Sequence, residues 1–172
     1  MPATFKVRGP YEIPCKGKQH PYIESGCDDF WKQPEVTNLA NERGCYPFAI
    51  RAAKGFRPVY VGKTKRTFGK ECFTYHKVAD HYQPALADTG KGTPVMFLLT
   101  LGRARGPINN RAIAQLETFL IQNGVAKNPH LSNVQGTRQE EWGIAGIIRG
   151  GKGKVAASAK LFRQAMGLRG RK

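Results

Sequence analysis

The chain has 172 residues, 40% of them hydrophobic and 10% aromatic, enough for one domain with a core of its own and an appended arm. No apolar run is long enough to span a bilayer and no signal peptide opens the sequence, so membrane-spanning and secreted classes are set aside and a soluble cytoplasmic protein is expected. Lys and Arg total 28 against 12 Asp and Glu, a formal charge of +16, which calls for a polyanionic partner: nucleic acid first, an acidic protein or an anionic membrane surface as its rivals.

Residues 1–43 are dense in turn formers, among them Gly9-Pro10, Ile13-Pro14, His20-Pro21 and Gln33-Pro34. They predict an irregular arm wrapped on the core, with one short strand around Thr4 to Val7 and Phe30-Trp31 as its pin. Cys15, Cys27, Cys45 and Cys72 form no CxxC pair and read as thiols. Cys15, His20 and Cys27 fit no common zinc spacing.

Gly44 to Gly62 carries two short apolar runs around a basic connector with one Gly and one Pro, which predicts a β-hairpin. Tyr46 lies in the first run, Tyr60 in the second, each beside a Gly that lets another group approach closely. Two half-buried tyrosines on an ordinary hairpin explain the stretch equally well at this level. Arg51 in the first run, Gly62 itself, and Lys63, Lys65 and Arg66 in the turn after it make a cationic surface suited to phosphate, or simply a solvated basic turn.

From Gly69 to about Tyr82 the spacing of Cys72, Phe73, His76 and Ala79 predicts a helix, ended by Pro84 and the Asp88-Thr89-Gly90-Lys91-Gly92 run. His76 falls on or near its apolar stripe, where a lone His is often a satisfied core residue. Pro94 to Leu101 reads as a central, doubly covered strand that joins the hairpin in a three-stranded sheet. Arg103 and Arg105 follow in a basic loop. Asn109 to Asn123 predicts a helix capped by Asn109 or Asn110 and stopped by Gly124, with Ile113, Leu116, Phe119 and Leu120 buried. Glu117 then lies on or at the edge of the apolar face. A carboxylate there must be paired, protonated or bound to a metal, and an ion pair with one of the many cations is the plainest outcome. Asn133 follows a Pro turn and can bond back to the core. Beyond Gly136, Lys152 and Lys154 lie in a glycine-rich linker before a short helix and a basic tail, an arrangement that adds non-specific phosphate contacts.

Gly44-Cys45-Tyr46, then Tyr60-Val61-Gly62, then Glu117 on a helix, then Asn133 after a Pro turn resemble the GIY-YIG nuclease superfamily. That superfamily includes homing endonucleases, some restriction enzymes and the incision subunit of bacterial excision repair. The resemblance covers 44–133, about half the chain, and leaves 1–43 and the stretch from 134 on unassigned. It implies an α+β fold: a small three-stranded antiparallel sheet flanked by helices, here with an N-terminal arm at 1–43, a core at 44–135 and a C-terminal extension at 136–172. It implies one divalent metal, Mg2+ or Mn2+, on Glu117, with Tyr46 and Tyr60 positioning or deprotonating water, Tyr46 the better base, and Asn133 as an anchor. The implied activity is DNA cleavage in restriction, phage defence, mobile elements or repair.

Two departures stand out. Cys45 replaces the family's Ile. No Arg follows on the predicted helix: Glu71 occupies its place, with Lys70 beside it, Tyr75 or His76 where the family has His or Tyr, and Lys70, Arg66 or Lys63 as possible substitutes. The competing readings are a fold of this type that binds nucleic acid without catalysis, and an unrelated basic structural protein such as a ribosome-associated one.

Overall fold

The structure, a computed structural model, describes residues 4–133 apart from 54, 65, 91 and 102–107, and a few positions between 156 and 165. The chain divides into two compact units, 1–137 and 138–172, and all that follows concerns the first. Lys65, Arg103, Arg105, Lys152 and Lys154 lie outside the described residues, as does most of the expected C-terminal helix.

The fold is α+β, with four antiparallel strands, not three, in the order β1-β4-β2-β3. β2 (Gly44–Ala52) and β3 (Gly55–Lys63) form the expected hairpin, and β4 (Thr93–Leu101) lies beside β2. The added strand is β1 (Phe5–Glu12), which pairs along β4 from Phe5↔Leu101 to Glu12↔Val95. The register shifts between Arg8 and Tyr11, at Gly9-Pro10. That dipeptide reads as a turn, yet an edge strand tolerates Pro at a bulge, so the strand runs past the Val7 expected to end it.

Helices cover both faces because strand residues alternate between them. Tyr46, Phe48, Met96 and Leu98 face a core that also takes in Phe30, Val36, Phe68 and Tyr82. Cys45 and Leu99, pointing the other way, pack on Ile113, and Val61 packs on Ile121. Ile113 and Ile121 belong to α6 (Asn110–Lys127), whose first turn is capped by the Asn109 side chain accepting from Ala112 N at 2.9 Å. α6 runs through Gly124 because that glycine serves packing: a Cβ there would lie 3.2 Å from Leu131 Cδ2. Phe119, expected in the buried stripe, is 59% exposed, since the buried face turns through Ile113, Ile121 and Gly124.

α1 (Asp28–Trp31) and α2 (Pro34–Thr37) tie the N-terminal segment down, with Phe30 edge-on to both Trp31 and Phe73. The single helix expected from 69 is instead α3 (Phe68–Glu71), α4 (Tyr75–Lys77), a π-helical turn (Val78–Tyr82) and α5 (Gln83–Thr89). Pro84 ends nothing. The wide turn, closed by Gln83 N–H on Val78 O, places Pro84 in the first turn of α5, where its missing donor costs no hydrogen bond. Among the described residues no helix is long and apolar enough to cross a membrane.

Candidate functional site

The site is built at one end of the hairpin. Gly44 has φ +154°, and a Cβ there would come within 1.8 Å of Leu99 O on β4, so only glycine allows the strands this close. Buried Thr64 clamps the same end: its Oγ1 accepts from Gly44 N at 2.9 Å and its N donates to Gly44 O at 2.9 Å. Gly62 is the register partner of Tyr46, and a Cβ on it would meet Tyr46 Cζ at 2.4 Å. The glycine of the second tripeptide is therefore the seat of the tyrosine ring of the first.

Tyr46 is fully buried, edge-on to Phe68 at 6.3 Å, with Lys77 Nζ 5.6 Å from its ring centroid. Two buried polar side-chain atoms lack a hydrogen-bond partner among the described residues, Trp31 Nε1 and the Tyr46 hydroxyl. Burial, reinforced by Tyr82 and Tyr60, drives the Tyr46 pKa far above the usual phenol range. Burial also pushes Tyr60 up to about 12. The Tyr46 hydroxyl is near enough to offset part of that rise, although the two phenols do not meet in hydrogen-bond geometry. Both stay protonated at neutral pH, so Tyr46 is placed to donate and to position, and the base role expected of it has no support in this environment.

Tyr60 stacks on His81, centroids 4.4 Å apart and planes 27° from parallel. His81 Nδ1 is 2.5 Å from Ser132 Oγ. Burial lowers the His81 pKa, with Asp80 opposing and Lys77 adding to the effect, which favours the neutral ring. Next to Ser132, Asn133 accepts from Val61 N at 3.0 Å through Oδ1 and donates to Val61 O through Nδ2, while Ser132 N donates to Val59 O at 2.7 Å. The turn after α6 thus runs along the outer edge of β3 and satisfies its backbone between Tyr60 and Gly62.

Glu117 sits at the rim of the face of α6 that meets the sheet, its side chain 17% exposed, with Oε2 accepting from Lys63 Nζ at 2.6 Å. Its charge reaches Tyr60 and Cys45 and raises both. Cys45 is a buried thiol donating to Ile113 O at 3.3 Å, and burial pushes it up to about 12. A Mg2+-type ion takes one or two carboxylates and completes its shell with water and phosphate oxygens. Glu117 can supply such a carboxylate, whereas no cluster of three His, Cys, Asp or Glu is present among the described residues. The donor set fits Mg2+ or Mn2+ held by Glu117 and substrate, not an ion held by protein alone.

The structure brings Tyr46, Tyr60, Gly62, Lys63, Glu117 and Asn133 to this end of the hairpin. It leaves His76, Lys70 and Arg66 exposed, and pairs Arg51 with Glu12. His76 meets Tyr75, not the core stripe, because the helix breaks before it. Four further residues join the site: Thr64, Lys77, His81 and Ser132. Lys77, held by Glu71 O at 2.7 Å and Glu71 Oε2 at 3.2 Å, is the cation at Tyr46. Lys77 and His81 both fall inside the helix expected over 69–82, and their four-residue spacing is the one-face signal that could have found them.

Comparison with family models, curated proteins and solved structures returns no match for this chain.

Proposed function

We propose that the protein is a divalent-metal-dependent endonuclease of the GIY-YIG type that hydrolyses phosphodiester bonds in DNA. The observation that carries this is the Tyr46 hydroxyl, partnerless among the described residues, on a ring seated against Gly62. Phenylalanine would pack there without the cost of an unmade hydrogen bond, so the hydroxyl points to a reaction partner. A metal on Glu117 supplies neutralisation of charge on the phosphate and the leaving oxygen. Tyr46 and Tyr60, kept as phenols, orient water and phosphate oxygens by donation. Lys77 and Lys63 supply positive charge as single points, without the two-pronged grip of Arg. His81 is the imidazole beside Tyr60 that can accept a proton from water; Ser132 engages its Nδ1, which leaves Nε2. Asn133 holds Val61, and with it the spacing of Tyr60 and Gly62.

A second reading, a nucleic-acid-binding module without catalysis, draws on the Lys63 contact that already neutralises Glu117. Incubation of supercoiled plasmid and of a single-stranded oligonucleotide with Mg2+, Mn2+ or EDTA separates the two. The nuclease reading expects metal-dependent nicking by wild type that is lost in folded Glu117→Gln. Salt-sensitive binding with no cutting by wild type favours the binding module.

A further inference from the structure

We infer that Lys63 makes metal binding depend on nucleic acid: it covers Glu117 in the free protein and transfers to a phosphate oxygen when substrate arrives. The inference rests on the nuclease reading above and concerns how its metal site is controlled. Lys63 Nζ lies 2.6 Å from Glu117 Oε2, and the lysine side chain is 35% exposed against 17% for the carboxylate, so the ammonium is the more open partner. The two differ in freedom. Glu117 is fixed on α6 one turn before buried Ile121, while Lys63 ends β3 and carries its charge on a flexible stem. The nearby cation Lys77 is engaged with Glu71 and is no substitute cover.

A dication arriving at Glu117 meets the ammonium within a few ångströms, where like charges repel strongly in a half-buried setting. The pair resists metal on its own. Nucleic acid changes the balance, because a phosphate oxygen gives the ammonium a new anionic partner and frees the carboxylate for the ion. In that exchange no charge is left unpaired. Binding linkage then requires reciprocity: nucleic acid raises metal affinity by the factor by which metal raises nucleic-acid affinity.

The test follows Mn2+ binding to the full chain by the electron-spin resonance of free Mn2+, with and without a cleavage-resistant phosphorothioate duplex, correcting for Mn2+ bound by the duplex alone. Wild type, Lys63→Met, Glu117→Gln and Lys127→Met are compared after melting curves show all are folded. Lys127→Met removes the same charge from the far end of α6. The expected result is that the duplex tightens Mn2+ binding to wild type by about tenfold or more. Lys63→Met binds Mn2+ about tenfold tighter than wild type without the duplex and gains little from it, while Lys127→Met behaves as wild type. Equal Mn2+ affinity of wild type and Lys63→Met without duplex, or undiminished coupling in Lys63→Met, overturns the inference and leaves the nuclease reading standing. Mn2+ binding that survives Glu117→Gln, or no binding to any variant, overturns the nuclease reading itself.

Discussion

Tyr46 and Gly62 form one unit drawn from two strands, and the substitution that tests it is small. Gly62→Ala places a methyl 2.4 Å from the Tyr46 ring, in a core with no slack, and is expected to cost about 1–3 kcal/mol in urea unfolding. An unchanged midpoint contradicts the seat. Tyr60 sets a second expectation. Its folded value of about 12 lies above the ~10 of a free phenol, so between those values the folded chain keeps a proton that the unfolded chain has lost. Its stability is fully present below about pH 10 and falls as pH rises toward 12. Cys45, raised from 9.0 to about 12, adds the same sign from a lower pH. The urea midpoint measured under reductant should drop between pH 8 and pH 10.5, less steeply in Tyr60→Phe; a flat profile refutes the burial account. His81 acts at the other end, since its lowered pKa removes stability as pH falls below the free-imidazole range.

Elements were legible where their boundaries carry their own chemistry. The hairpin announces itself through Gly44 and Gly62, β4 through its unbroken apolar run, and the start of α6 through Asn109. Element boundaries went unread where a residue does a job other than its usual one. Gly9-Pro10 marks a bulge inside β1, Pro84 begins α5 after a π turn, and Gly124 makes room for Leu131 without ending α6. The site follows the same pattern: Tyr46, Tyr60, Glu117 and Asn133 are readable as a spaced set, whereas Lys77 and His81 depend on the π turn that joins α4 to α5. Asn133 permits a test at this scale. Asn133→Ala strips both backbone groups of Val61 of their partner and is expected to cost about 1–3 kcal/mol. It should also speed hydrogen exchange at the Val61 amide while leaving the inner pairing of β2 with β4 protected. Unchanged exchange at Val61 means the turn is not a latch.

At the scale of the whole molecule the +16 charge governs encounter more than selection. Binding to plasmid or oligonucleotide should weaken by about tenfold or more between 50 and 200 mM salt, as released counterions require for several phosphate contacts. Salt-insensitive binding is incompatible with a surface of this composition. The proposed nuclease activity rests on the buried end of the hairpin, and one variant addresses it. Tyr46→Phe removes a hydroxyl that has no hydrogen-bond partner among the described residues and keeps the packed ring, so a structural tyrosine and a functional one give opposite results. Unfolding and metal-dependent plasmid cleavage are measured on the same preparations of wild type and variant. The account predicts a variant at least as stable as wild type whose cleavage falls by about 100-fold or more. Cleavage at the wild-type rate by Tyr46→Phe contradicts it.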